Sequence, residues 1–302
     1  MDLASDPARE RSLRFAWVLL AAGMLVASSS AILVRYAVDA EPLAMSFWRC
    51  AAGSLLLLPF SLRDLRAVRR REVIVCAIAG LFLAIHFATW IASIGLTTVA
   101  AAVLLVSLTP VFVALTAWLL FKDRLPTRGW IGIVVALAGS GVVLAGADAS
   151  GGEVTIVGNV LALIGGATAG WYLMAGADAR RRLGIVGYSV ITYGIAALLL
   201  LVPIAIDRTP LTGFGRTTWL AIAGMIAGPQ LLGHTVINFT LRALDTTSVS
   251  VALLAEPVIA TFLAWVLFTE VPSLLVYPGG LAILGGIFTV TMVRRPQEIP
   301  PE

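Results

Sequence analysis

Two pairs of polar side chains lie at helical spacing inside long apolar stretches of the chain. His86 and Trp90 are four residues apart, and so are His234 and Asn238. Residues four apart share one face of a helix, so each pair is predicted to present imidazole beside an indole or an amide. Such groups can stack on a ring or hydrogen-bond a polar end without a fixed buried charge. Polar groups at membrane depth tend to face a cavity, so the pattern predicts a pocket for a small organic molecule.

Three further residues are assigned to the same pocket. Trp171 stands between stretches of small residues, and Ser30 and Ser107 lie in apolar segments that would adjoin it. Each histidine has an alternative, a hydrogen bond to a neighbouring carbonyl, and the alternative for Trp171 is contact with lipid or the membrane interface. The predicted substrate-binding residues are His86, Trp90, Trp171, His234, Asn238, Ser30 and Ser107.

Four other residues concern coupling and shape. Glu256 is the one acid near the centre of an apolar segment, where it either carries a coupling proton or stabilises backbone that Pro257 loosens. The structural role is the favoured one. Pro110 and Pro257 lie near the middle of two matching segments, where each favours a kink, so they are predicted hinges. Arg49 is interpreted as a structural side chain that snorkels or pairs.

Catalysis and metal binding lack their usual signatures in this chain. The only lysine, Lys122, follows Phe121, whereas a phosphate-binding loop of the Walker type needs Gly-Lys before Ser or Thr. Cys50 and Cys76 lie in apolar segments and lack metal-ligand spacing. We therefore expect no enzyme activity, no catalytic residue, no metal site and no cofactor.

The elements that must position these residues are membrane-spanning helices. The chain is 59% hydrophobic and only 13% charged, about half the ~25% charge of soluble domains. A span needs about 20 mostly apolar residues, and ten segments qualify. These segments are 15–38, 43–62, 73–95, 97–121, 129–147, 154–178, 184–206, 217–241, 246–269 and 272–293. The first is too long for a cleaved signal peptide and is predicted to be a retained helix.

The distribution of positive charge predicts the orientation. With the N-terminus in the cytoplasm, 17 of the 21 Lys and Arg residues fall on the cytoplasmic side and two on the other. Such a bias follows the positive-inside rule, so both termini are expected in the cytoplasm. The net charge of +4 therefore indicates membrane topology rather than a nucleic-acid partner.

The second half of the chain repeats the first. At a shift of 147 or 148 positions the matched pairs include Pro110 with Pro257, Trp118 with Trp265, Phe121 with Phe268, Gly132 with Gly279, Gly139 with Gly286, and His86 with His234. Five helices is an odd number, so matching helices must run in opposite directions. Residues 1–147 and 148–302 are thus predicted to form an inverted repeat around a central cavity, as in many secondary transporters.

Four stretches carry a resemblance to a known family. They are LTPVFVALTAWLLFKDRL, LLAEPVIATFLAWVLFTE, EPLAMSFWRCAAGSLLLL and GGATAGWYLM. In them the chain resembles the drug/metabolite transporter superfamily, in its ten-helix EamA branch, and within that branch it is most similar to YddG-type exporters of aromatic amino acids. The family usually closes its fourth helix with an acid, whereas here Asp123 follows Lys122. The resemblance implies an all-α membrane fold and transport of small metabolites.

The residues and the resemblance together predict an inner-membrane exporter. It would move small metabolites, amino acids including aromatic ones, by alternating access, either secondary-active or facilitative. An exporter of drugs or other metabolites with the same fold is the alternative, and a channel, a receptor or an intramembrane enzyme is less favoured. The expected partners are the small-molecule substrate and membrane lipids, without nucleic acid. One chain carries both halves of the predicted site, so a monomer suffices.

Overall fold

The protein is all-helical within the part that its computed structural model describes, residues 7–66, 68–122, 125–148, 152–233 and 253–293. The elements are α1 (Pro7–Tyr36), α2 (Pro42–Leu65), α3 (Arg70–Leu96), α4 (Val99–Val106), α5 (Thr109–Phe121), α6 (Thr127–Asp148), α7 (Gly152–Ala175), α8 (Ala177–Asp207), α9 (Arg216–Met225), a π-helix (Ile226–Gly233), α10 (Glu256–Phe268) and α11 (Val276–Val293).

Seven spans within the described residues are long and apolar enough to cross a membrane. They coincide with the first seven predicted segments. The first span, Arg14–Tyr36, has a mean hydropathy of 2.1. The last three segments fall on α9 with the π-helix, on α10 and on α11, and the eighth and ninth lie partly outside the described residues. The multi-pass membrane fold is confirmed, whereas the count of ten stays a prediction.

The fourth span is built from two helices, α4 and α5, which meet at Ser107 and Leu108. Pro110 lies in the first turn of α5, where a missing backbone N–H leaves no hydrogen bond unmade. Pro257 occupies the same place in α10. The two prolines thus begin new helices instead of kinking continuous ones, which differs from the prediction and avoids the cost of proline inside a helix.

These two short helices show the repeat at single-residue resolution. Each contains 13 residues, and both their first and their last residues match at a shift of 147. Each also ends on a left-handed residue, Lys122 with φ 54° and Thr269 with φ 54°. A single left-handed residue stops a helix and turns the chain. The short turn after each helix is therefore encoded in the same way in both halves.

A glycine contact between α6 and α11 shows that matching helices run in opposite directions. A Cβ atom on Gly139 would lie 2.7 Å from the carbonyl oxygen of Gly279, and one on Gly132 would lie 2.8 Å from that of Gly286. The repeat shift of 147 exchanges these two contacts, as a two-fold axis would. Only glycine permits this backbone approach. The inverted two-repeat fold is confirmed, and its boundary between residues 147 and 148 stays a prediction.

Helix α3 occupies the middle of the bundle and positions most of the candidate site. It packs against α7, α8 and α2, while α1 packs against α9 and the π-helix. Small residues on α7 allow the close approach, because a Cβ atom on Gly165 would lie 3.1 Å from that of Trp90. Side chains of α1, α2, α3 and the π-helix consequently meet inside the bundle.

Candidate functional site

Arg49 is the buried cation at the centre of the candidate site. It lies seven residues into α2, about 10 Å from the start of the helix at 1.5 Å per residue. Its side chain is 4% exposed. The guanidinium therefore lies inside the bundle, where it makes the side-chain contacts expected from the second alternative, pairing within the protein. A charge buried at this depth is costly and marks a functional position.

Neutral oxygen atoms from two other elements hold the guanidinium. Nη1 of Arg49 donates to Oγ of Ser30 on α1 at 3.2 Å, and Nε donates to Oε1 of Gln230 on the π-helix at 3.4 Å. Nε2 of Gln230 donates in return to the backbone oxygen of Arg49 at 2.9 Å. Gly53 makes room for this arrangement, since a Cβ atom there would clash with Gln230. The three contacts tie α1, α2 and the π-helix together.

Two aromatic rings of α3 cover the same guanidinium. Its Cζ atom lies 4.3 Å from the ring centre of Phe87 and 5.7 Å from that of Trp90. Both distances fall within the range of cation–π attraction, which strengthens when the cation is desolvated. We call Ser30, Arg49, Phe87, Trp90 and Gln230 the Arg49 cluster, and each of its side chains is at most 8% exposed.

His86 extends the Arg49 cluster by one more ring. Its imidazole stacks on Trp90 with 6.0 Å between ring centres and 7° between planes. Nδ1 lies 2.8 Å from the backbone oxygen of Gly165, so Nδ1 carries the hydrogen and donates it. The two interpretations of His86 are therefore compatible, because a carbonyl contact holds the ring against Trp90. The indole Nε1 of Trp90 is buried without a partner among the described residues.

Trp171 lies apart from the Arg49 cluster. Its Nε1 donates to Oγ1 of Thr116 on α5 at 2.9 Å, and its ring centre is 5.4 Å from that of Phe82 on α3. The side chain is 37% exposed, so one side of the indole is open. Since Phe82 precedes His86 by about one turn of α3, Trp171 continues the same aromatic stripe toward the start of α3.

Of the remaining predicted residues, the structure describes Ser107 and Glu256 but not His234 and Asn238. Ser107 donates to the backbone oxygen of Val103 at 2.7 Å, within its own segment. Glu256 is half-buried in the first turn of α10 and makes no hydrogen bond or ion pair with a described residue. His234 and Asn238 lie outside the described residues. Ser30, His86 and Trp90 are thus brought together, and Ser107, Trp171 and Glu256 are not placed in the Arg49 cluster.

The list of predicted substrate-binding residues does not contain Arg49, Gln230 or Phe87, which the structure adds to the site. An arginine inside an apolar span was a sufficient signal for Arg49, because such residues face the bundle interior. Gln230 lies one helical turn before His234 and carried a weaker version of the same signal. Nothing in the sequence distinguished Phe87 from the other phenylalanines.

A second polar cluster lies at the end of the bundle where α1 ends and α4 begins. Nη2 of Arg35 pairs with Oε2 of Glu270 at 3.0 Å and donates to the backbone oxygen of Thr97 at 2.9 Å. The backbone N–H of Val99 donates to Oε1 of Glu270 at 2.6 Å. We call Arg35, Thr97, Val99 and Glu270 the Glu270 cluster, and it joins α1, the α10–α11 turn and the start of α4.

Comparison with known proteins finds a similar fold in a solved structure and sequence similarity to two transporters. A crystal structure with 23% sequence identity superposes with a TM-score of 0.59, covers 92% of this chain and 97% of that chain, and agrees in fold. "Uncharacterized transporter YdfC" of Bacillus subtilis (strain 168) is 24% identical over 261 residues, 84% of each protein. An uncharacterized transporter of Archaeoglobus fulgidus is 24% identical over 278 residues, 92% of this chain and 96% of that protein.

The family match covers both halves of the chain. Residues 14–145 match the EamA-like transporter family, and residues 156–292 match it again. The two matched ranges agree with the inverted halves that the glycine contact between α6 and α11 relates. The chain therefore belongs to the EamA-like transporter family and is a multi-pass membrane transporter.

Proposed function

We propose that the protein exports small metabolites, specifically amino acids including aromatic ones, by alternating access through a site inside the bundle. The observation that carries this proposal is the group of rings on one stretch of α3, where His86 stacks on Trp90 and contacts Phe87 at a tilt, with buried polar groups beside it. An aromatic wall gives a substrate ring a large contact area. The neighbouring donors suit the polar end of an amino acid.

Movement between two open states is proposed to use the matched helix breaks. In both halves a helix begins anew at a proline, Pro110 in α5 and Pro257 in α10. Breaks at equivalent places let the two halves rock against each other around a fixed site. The proposal places the protein in the bacterial inner membrane with both termini in the cytoplasm, which labelling of the two termini tests directly.

The direct test is uptake of radiolabelled L-tryptophan and L-leucine by liposomes that contain the purified protein. Trp171→Ala and His86→Ala are expected to lower tryptophan uptake about tenfold, the scale of one lost aromatic contact. Trp265→Ala is the matched control, because Trp265 is 54% exposed on α10 and its ring contact among the described residues is with Phe262. Undiminished uptake in both site variants would refute the proposed site.

A second arm of the same assay addresses the alternative substrate class and the coupling ion. If wild-type protein moves a cationic drug such as ethidium but neither amino acid, the alternative of a drug exporter replaces this proposal. Imposing a pH gradient tests Glu256 as the coupling residue. If wild-type uptake is the same with and without the pH gradient, Glu256 is not the coupling residue. If the gradient does change wild-type uptake, Glu256→Gln is expected to abolish that change.

A further inference from the structure

The Arg49 cluster holds a buried positive charge that no described acid pairs with. Among the described residues, no carboxylate pairs with Arg49, whose hydrogen bonds go to the neutral oxygens of Ser30 and Gln230. The rings of Phe87 and Trp90 offset part of the charge but supply no formal anion. An unpaired buried charge is expensive, so its presence calls for a function that needs it.

The cluster also has more hydrogen-bond donors than acceptors. A guanidinium carries five N–H groups, and the hydrogen bonds of Arg49 to described residues use Nε and Nη1 but not Nη2. The indole N–H of Trp90, buried beside it, has no acceptor among the described residues. A missing partner must therefore bring acceptors and negative charge together.

A carboxylate is the anion that fits these donors best. The guanidinium is a planar fork whose parallel N–H groups match the two oxygens of a carboxylate. A phosphate dianion would need a second cation, and among the described residues no other Lys or Arg makes a contact within the Arg49 cluster. His86, stacked on Trp90, donates its Nδ1 hydrogen to the backbone oxygen of Gly165.

We propose that Arg49 binds the carboxylate of the transported substrate, so that the transporter selects compounds with one carboxylate. This inference rests on the proposed transport function and names its substrate class. The carboxylate replaces Ser30 and Gln230 on the guanidinium, because hydrogen bonds between two ions are stronger than those to neutral oxygens. The exchange releases α1 and the π-helix from α2, which couples substrate binding to movement of the helices.

The test of selectivity compares ligands that differ only in the carboxylate. Liposomes with wild-type protein are offered L-tryptophan, tryptophanamide and tryptamine. Arg49→Gln is expected to lower L-tryptophan uptake about 30-fold, the scale of losing one partner of a buried charge pair, and to change tryptamine uptake little. Arg49→Lys should fall between. Equal loss for all three compounds, or wild-type uptake of tryptamine as fast as L-tryptophan, overturns the proposal.

A binding measurement decides the inference even if none of these compounds is transported. Sodium benzoate is expected to raise the thermal midpoint of the purified wild-type protein, whereas benzamide is not, since ligands stabilise the state they bind. Arg49→Gln should lose this shift, and Arg35→Gln, whose arginine lies in the Glu270 cluster, should keep it. A benzoate shift that survives in Arg49→Gln rejects Arg49 as the carboxylate site. Absence of transport together with an Arg49-dependent shift would reject the transport proposal alone.

Ser30→Ala distinguishes binding from a merely structural role. If Ser30 competes with the substrate for the guanidinium, its removal lowers the KM for L-tryptophan about fivefold, the scale of one hydrogen bond. If the cluster only holds helices together, the same change destabilises the protein without lowering KM. An unchanged or raised KM in a folded Ser30→Ala protein therefore contradicts the exchange.

Discussion

Arg35 and Arg49 are both partly or wholly buried near the same end of the bundle, yet they are neutralised in different ways. Arg35 faces a carboxylate, Glu270, at 3.0 Å, and its side chain is still 33% exposed. Arg49 is 4% exposed, and its contacts with described residues go to neutral oxygens and aromatic rings. Among the described residues, the more deeply buried arginine is thus the one that pairs with no acid.

The difference distinguishes a structural ion pair, Arg35 with Glu270, from a buried cation, Arg49, that has no described counter-ion. Arg35 and Glu270 form an ion pair within the chain that fastens α1 to the α10–α11 turn and to the first N–H of α4, while Nε of Arg35 is buried without a described partner. The Arg49 cluster is incomplete within the described residues, because no described carboxylate pairs with Arg49 and the indole N–H of Trp90 has no described acceptor. A transporter needs its binding site to be incomplete until the substrate arrives, whereas a fastening between helices does not.

The largest expected effect on uptake comes from placing a carboxylate beside Arg49. Gln230→Glu replaces the amide that lies 3.4 Å from Nε of Arg49 with a carboxylate of the same size. The new ion pair occupies the guanidinium permanently, so L-tryptophan uptake should fall about 30-fold, the scale of one charge-assisted hydrogen bond. The thermal midpoint should not fall, and both quantities are measured on the same purified protein.

Gln230→Ala is the matched control for that experiment. It removes the same hydrogen bonds without adding a charge, and it should leave uptake well above that of Gln230→Glu. If the two variants transport equally well, a carboxylate beside Arg49 does not block substrate binding. The lack of an acid partner at Arg49 would then not matter for transport.

The next effect concerns the ring beneath Arg49. Phe87→Ala removes a side chain that is 8% exposed and should lower the free energy of unfolding by about 3 kcal/mol, as for other buried phenylalanines. Phe87→Leu keeps most of the volume and loses the ring, so it should cost about 1 kcal/mol, the scale of a cation–π contact. Unfolding titrations in mixed micelles measure both. The interpretation fails if Phe87→Leu is as stable as wild type.

Much of the fold followed from the sequence because lipid imposes simple rules. Long apolar runs predicted the spans, and the shared positions of Pro110 and Pro257 predicted that two helices would match. Glycines at a shift of 147 predicted the repeat, and the contact of Gly139 with Gly279 shows what those glycines do. These signals are local or periodic, so they can be recognised without knowing which helices touch.

The helix breaks were harder to predict because they depend on hydrogen bonds at single positions. Hydropathy treats Val99–Phe121 as one span, whereas the backbone interrupts the helix at Ser107 and Leu108. The π-helical turns of Ile226–Gly233 are equally invisible to hydropathy. Widened turns of this kind often occur at functional sites, and here they carry Gln230 to Arg49.

The site was only partly predictable because its contacts join distant parts of the chain. His86 and Trp90 were found from their spacing on one helix, and the structure stacks them. Arg49 binds Ser30 across 19 positions and Gln230 across 181. Spacing along a helix cannot reveal such neighbours, so Arg49 was interpreted as structural even though it is the most deeply buried cation of the site.

The smallest expected effect is on the free energy of unfolding when the ion pair of Arg35 and Glu270 is broken. Glu270→Gln removes the charge that faces Arg35, and because both side chains are partly exposed the cost should be only about 1 kcal/mol of unfolding free energy. Arg35→Gln should cost about the same, and the double variant should cost little more than either alone, since the first change already breaks the pair. Benzoate binding should survive in all three proteins, because Arg49 lies outside this pair. Additive costs in the double variant would show that Arg35 and Glu270 stabilise the bundle independently, and the contrast with Arg49 would then rest on burial alone.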